Sequence, residues 1–124
     1  MIEFAPAVIV HSLNHARLCA GRAVTLLSAP GAAQYAGVLW WRELLREAGH
    51  DGPSLLDCGD GAGRALEALK LGLPGIVLRA NPAAFAAVAQ VAAAQSAMLL
   101  AEPPPALDLG SRGAHRHLQA WLGG

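Results

Sequence analysis

The sequence predicts one α/β domain over residues 1–124, built as a three-layer open parallel sheet of about five strands. Three observations lead there. Five short apolar runs alternate with five helical stretches, the pattern of parallel strands joined by right-handed crossovers. The runs are continuous rather than alternately polar, as strands covered on both faces require. The chain has 124 residues, where a closed eight-stranded barrel typically needs about 250.

The first run, Ala7-Val8-Ile9-Val10, is a strand, and Asn14 is placed to cap a short helix through Leu18 that ends at Gly21. Val24-Thr25-Leu26-Leu27 is the second strand, closed by Pro30-Gly31. A helix follows from about Gln34 to Ala48. Val38, Trp40, Trp41, Leu44, Leu45 and Ala48 share one arc, with Arg42, Glu43, Arg46 and Glu47 opposite, and Leu39 falls among the charges. Gly49 is its terminator. Ser54-Leu55-Leu56-Asp57 is the third strand, followed by a turn over 59–63 and a helix from Arg64 to Leu71. Ile76-Val77-Leu78 is the fourth strand. Pro82 suits the first turn of the next helix, which runs to about Gln95. Ala97-Met98-Leu99-Leu100 is the fifth strand, Pro103-Pro104-Pro105 an extended segment, and Ser111 the cap of a last helix over His115 to Leu122.

The expected strand order is the flavodoxin-like 2-1-3-4-5, and ligands of such sheets bind beyond the carboxyl ends of the strands. Each predicted strand ends in a polar group at that edge: His11-Ser12, Ser28, Asp57 with Asp60, Arg79 with Asn81, and Glu102. Asp57 follows two leucines, so its charge is costly unless a cation or backbone donors compensate, and Arg79 on the adjoining strand is the candidate cation. Two readings follow. In one, the chain is a non-catalytic binding or interaction module that takes a small polar or anionic ligand with Ser28, Gly59, Gly61, Gly63 and Arg79. In the other it is a small enzyme using Asp57 and Asp60, with His11 as acid–base, which requires His11 and Asp57 to reach a common atom.

The turn Asp57-Cys58-Gly59-Asp60-Gly61-Ala62-Gly63 follows a strand and opens a helix, where glycines let backbone approach a ligand closely. It resembles the D-x-G-x-G-x-G motif of S-adenosylmethionine-dependent methyltransferases. That resemblance implies the methionine end of the cofactor against the glycines. It also implies an acid for the ribose after the next strand, where this chain has Arg79. Five strand–helix units with Asp57 closing the third strand also resemble response-regulator receiver domains, with Asp57 at the phosphoacceptor place. The acidic pair of that family is replaced here by His11-Ser12, and its lysine by Glu102, so this resemblance implies a degenerate receiver without phosphotransfer.

No metal site is expected. His11 and His15 are separated by a strand end in this reading, and His115 and His117 point to different sides of a helix. Nine basic and nine acidic residues balance, which argues against a nucleic-acid partner. The N-terminal Met1-Ile2-Glu3-Phe4 lacks a leader's basic and apolar regions, and two cysteines, Cys19 and Cys58, make no disulfide framework, so a cytoplasmic setting is expected. The 22 residues from Ala80 to Ala101 carry no charge, but alanine contributes little insertion energy, so a membrane span is not expected. The alanine face of the 83–95 helix predicts a homodimer.

Overall fold

The apolar runs and helical stretches alternate in space as they do along the chain. The computed structural model describes residues 5–123, so Met1 to Phe4, read above against a leader, lie outside the described residues. The strands are β1 (Ala7–Val10), β2 (Thr25–Ser28), β3 (Ser54–Asp57), β4 (Gly75–Val77), β5 (Met98–Leu100) and β6 (Ala106–Asp108). The helices are α1 (Leu13–Leu18), α2 (Ala32–Tyr35), α3 (Val38–Ala48), α4 (Ala62–Lys70), α5 (Pro82–Ala94) and α6 (Leu118–Trp121), the last preceded by a 3-10 turn at Ala114–His117. The result is a single-domain α/β fold with one open sheet of six parallel strands.

Local chemistry sets the element ends. Ser12, not Asn14, caps α1, its Oγ accepting the His15 N–H at 3.2 Å. The helix expected from Gln34 to Ala48 is two, because Gly37 at φ 90° breaks the run between α2 and α3. Asn81 caps α5 with Pro82 in its first turn.

The strand order is β5-β4-β3-β2-β1-β6, which corrects the expected 2-1-3-4-5. From β1 to β5 every crossover steps the same way across the sheet, so crossovers of one hand place their helices on one face. Packing agrees. Val8, Val10, Leu26, Leu56, Ile76 and Leu78 bury in one core with Ala16 of α1, Trp41 of α3, Leu69 of α4 and Val88 of α5. The intervening strand residues, Leu27, Leu55 and Val77, bury in a second core with Ile9, Met98, Leu100 and Ala106, all of them from strands. The third layer expected from the sequence is therefore not a helix layer.

The link from β5 to β6 shows how that second face is closed. Six Cα steps from Leu100 to Ala106 span at most about 22 Å. A flat six-stranded sheet would hold its edges about 24 Å apart, before the return to the amino end of β6 is counted. The sheet is accordingly rolled, with its helices outside and its edges drawn toward each other. Rolling buries Leu27, Leu55 and Val77 to 1% exposure or less without a helix over them.

Gly75 reports the tightness of the roll. A Cβ there would lie 2.5 Å from the Ser54 carbonyl oxygen and 2.9 Å from Leu55 Cδ2. Gly75→Ala is expected to cost about 1–3 kcal/mol by overpacking, read as a lower urea midpoint with unchanged slope. An unaltered midpoint would contradict this packing.

Candidate functional site

The alternation of the two cores decides which side chains meet. Odd-numbered Ile9, Leu27, Leu55 and Val77 face inward, as do Ala106 and Leu100. Continuing each strand by the same period of two puts His11, Asp57, Arg79 and Asp108 on the inner face at the carboxyl end. The contacts bear this out: His11 meets Asp108, and Arg79 meets Asp57.

Asp57 is 1% exposed. Its Oδ1 accepts the Gly31 N–H at 3.0 Å and the Gly59 N–H at 2.8 Å, and its Oδ2 lies 3.9 Å from the Arg79 guanidinium. The carboxylate thus ties the loop after β2 to the loop after β3, with the expected cation beside it. Arg79 is 48% exposed at its side chain, and its backbone N–H donates to the Gly59 carbonyl at 2.7 Å. Ser28 is buried. Its Oγ accepts the Asp57 N–H at 2.9 Å and donates to the Ala29 carbonyl at 3.1 Å, so it serves the same brace. With these partners and 1% exposure, the Asp57 carboxylate is committed to backbone and Arg79 and barely meets solvent.

The glycine turn is filled from within the chain. Gln34 Nε2 donates to the Cys58 carbonyl and to Asp60 Oδ1, both at 3.0 Å. A Cβ on Gly59 (φ 58°) would fall 2.6 Å from that nitrogen, and one on Gly61 3.4 Å from the Gln34 side chain. These two glycines make room for Gln34, while a Cβ on Gly63 would meet nothing within 4 Å. Asp60 is exposed.

The second cluster was only half visible in the sequence. His11 Nε2 and Asp108 Oδ1 are 2.6 Å apart, and Gly110 N–H donates to the same oxygen at 2.8 Å. The His11 backbone N–H donates to His15 Nδ1 at 3.0 Å, and the two rings meet edge to face with centroids 5.7 Å apart. The sequence reading separated these histidines; the start of α1 immediately after β1 brings them together. Asp108 escapes the sequence reading, which assigns Pro103-Pro104-Pro105 as an extended segment and places no strand between it and Ser111. The alternation Ala106-Leu107-Asp108-Leu109 was the signal of a strand there. Among the described residues no three or more His, Cys, Asp or Glu side chains gather as a metal site.

Titration follows this geometry. Burial, then the His11 charge, lowers the pKa of His15 below its ordinary 6.5, against a weaker opposing pull from Asp108. For Asp108, burial pushes upward, but the bonds from His11 and Gly110 and the charges of both histidines together bring it below 3.8. Burial, reinforced by the Asp57 charge, pushes the Cys58 thiol up to about 12. Cys19 is also raised by burial. Both cysteines are buried and free.

A separate cavity of about 280 Å³ opens at the amino end of the sheet, lined by Cys19, Arg22, Ala48, His50 and Asp51 among others. It lies at the opposite end from the four inward groups. No helix among the described residues is long and apolar enough to cross a membrane. No protein-family model, characterised protein or solved structure matches the chain.

His15 and Asp108 both bind protons more weakly folded than unfolded, so each destabilises the fold as pH falls. The His15 contribution is lost from about 6.5 downward and the Asp108 contribution from about 3.8 downward. Urea midpoints between pH 8 and pH 3 are expected to show both declines; His15→Gln should flatten the upper one and weaken the lower one only by the small share that the His15 charge contributes to Asp108.

Proposed function

We propose that the chain binds a small polar or anionic ligand at the carboxyl mouth of its rolled sheet. Arg79 carries this reading. Its guanidinium is half exposed at the mouth, while the carboxylate that positions it is sealed beneath. Of the other carboxylates at this end, Asp108 is engaged by His11 and Gly110 and Asp60 by Gln34, while Glu102 is exposed beyond β5. The N-terminal ends of α4 and α5 open at the same edge, and their dipoles favour negative charge. Gly63, with open space where a Cβ would stand, offers backbone to the ligand, whereas the turn at Gly59 and Gly61 is occupied by Gln34 and shapes the site through it. Ser28 supports it indirectly through Asp57.

Inorganic phosphate is the simplest probe. Saturation at 100 times its dissociation constant is expected to add about 2.7 kcal/mol of stability, seen as a raised Tm. Arg79→Ala should abolish the rise. No rise in the unaltered protein, or an equal rise in the variant, refutes the reading.

We also propose a homodimer through α5, in a cytoplasmic setting consistent with two free, buried thiols. The outward residues of α5, Ala83, Ala86, Ala87, Gln90, Val91 and Ala94, are exposed and uncharged. Small side chains let a second helix approach closely, and two-fold pairing is the commonest closed assembly. Sedimentation at micromolar concentration is expected to give a dimer that Ala87→Arg converts to monomer; a monomeric unaltered protein would end this proposal.

A further inference from the structure

At the end of the sheet away from Arg79, two loops that return a helix to a strand enclose a cavity of about 280 Å³. One loop runs from Cys19, the C-cap of α1, to Val24 before β2, and the other from Ala48 to Pro53, between α3 and β3. Backbone bonds hold both. The Arg22 N–H donates to the Cys19 carbonyl at 3.2 Å, and the Gly49 and His50 N–H groups donate to the Arg46 and Leu45 carbonyls at 3.1 and 3.0 Å. The His50 ring is fixed as well. Its Nε2 donates to the Pro53 carbonyl at 2.8 Å, and a Cβ on Gly52 would stand 3.2 Å from the ring. The space exists because, apart from Arg22, His50 and Asp51, every residue of the wall is Gly, Ala, Cys, Val or Pro.

The wall divides by chemistry. Ala16, Cys19 and Val24 belong to the main core and make its deep side apolar. Arg22 and Asp51 carry opposite charges on the same wall, yet neither forms an ion pair among the described residues. The Arg22 charge is felt on the deep side, where it pulls the Cys19 thiol down against the upward push of burial. Asp51 stands two residues beyond Gly49, the C-cap of α3, whose carbonyl end also favours a cation. The volume is just under the roughly 300 Å³ at which pockets for larger ligands begin, so both charges are within reach of one molecule of amino-acid size.

We propose that this cavity binds a small aliphatic α-amino acid as its zwitterion. The ligand carboxylate meets the Arg22 guanidinium, its ammonium meets the Asp51 carboxylate, and its side chain lies against Ala16, Cys19 and Val24. A free amino acid carries both charges and an apolar side chain on one carbon. A fatty acid would leave Asp51 without a counter-charge, and a simple amine would leave Arg22 without one. The site is separate from the carboxyl mouth and does not rest on the reading of that mouth.

Isothermal titration with leucine tests the proposal. Leucinamide, which lacks the carboxylate, and isocaproate, which lacks the ammonium, serve as partial probes. Leucine is expected to bind, and each partial probe to bind about tenfold more weakly. Arg22→Ala should weaken leucine about tenfold without weakening leucinamide, and Asp51→Asn should weaken leucine similarly without weakening isocaproate. Both side chains are exposed, so these variants are expected to keep the Tm of the unaltered protein without ligand. Ala48→Leu, which fills the cavity without changing charge, should abolish leucine binding, and Arg79→Ala should retain it. No leucine binding by the unaltered protein overturns the proposal. Equal affinity for the three probes overturns the zwitterion assignment. Leucine binding that survives Arg22→Ala and is lost in Arg79→Ala places the ligand at the mouth and overturns this site.

Discussion

The inner face of the sheet has no helices to cover it, and that constraint organises the molecule. Leu27, Leu55 and Val77 must leave water, and only other strands are available to receive them. The sheet meets this by rolling until Ile9, Met98, Leu100 and Ala106 close over them. Each of these side chains contributes about 1.5–3 kcal/mol when fully buried, or less for the smaller ones, so a flat sheet would forfeit a large share of the stability of so small a domain. The short link at 101–105 enforces the same shape covalently, because it cannot reach β6 across a flat sheet.

The roll also creates the site. In a flat sheet His11 on β1 and Arg79 on β4 would be two points on a plane. Rolled, the inward positions at the carboxyl end carry two pairs, His11 with Asp108 and Arg79 with Asp57. Two carboxylates there do different work. Asp57 is sealed and holds backbone, so its charge is spent on the Gly31 and Gly59 N–H groups and on Arg79. Asp108 sits at the more open edge formed by β1 and β6, and its charge acts on an imidazole. The difference is one of depth: Asp57 pairs within central β3, Asp108 on terminal β6.

Much of the site was legible in the sequence, and the exceptions have physical causes. The Asp57–Arg79 pair could be read from a carboxylate after two leucines and a cation ending the next strand. The glycine turn could be located but not interpreted, because its filler, Gln34, lies 24 residues from the Cys58 carbonyl it binds. Asp108 is 97 residues from His11, and only the return of the chain to β1 joins them. The His11–His15 contact was hidden for a smaller reason: the residue assigned as cap was Asn14 instead of Ser12, which displaced the start of α1.

By itself the sequence determined the α/β class, the parallel strands and the bounds of the first five strands to within one residue, since β propensity, apolar runs and glycine or proline stops act within a few residues. It also determined that both faces of the sheet are buried. Only the tertiary structure decided what buries the second face. A helix layer and an inward roll ask for the same apolar side chains, so composition is silent between them. Strand order, the inner core and the meeting of His11 with Asp108 all follow from that one choice, which depends on where β6 pairs and not on any local run of residues.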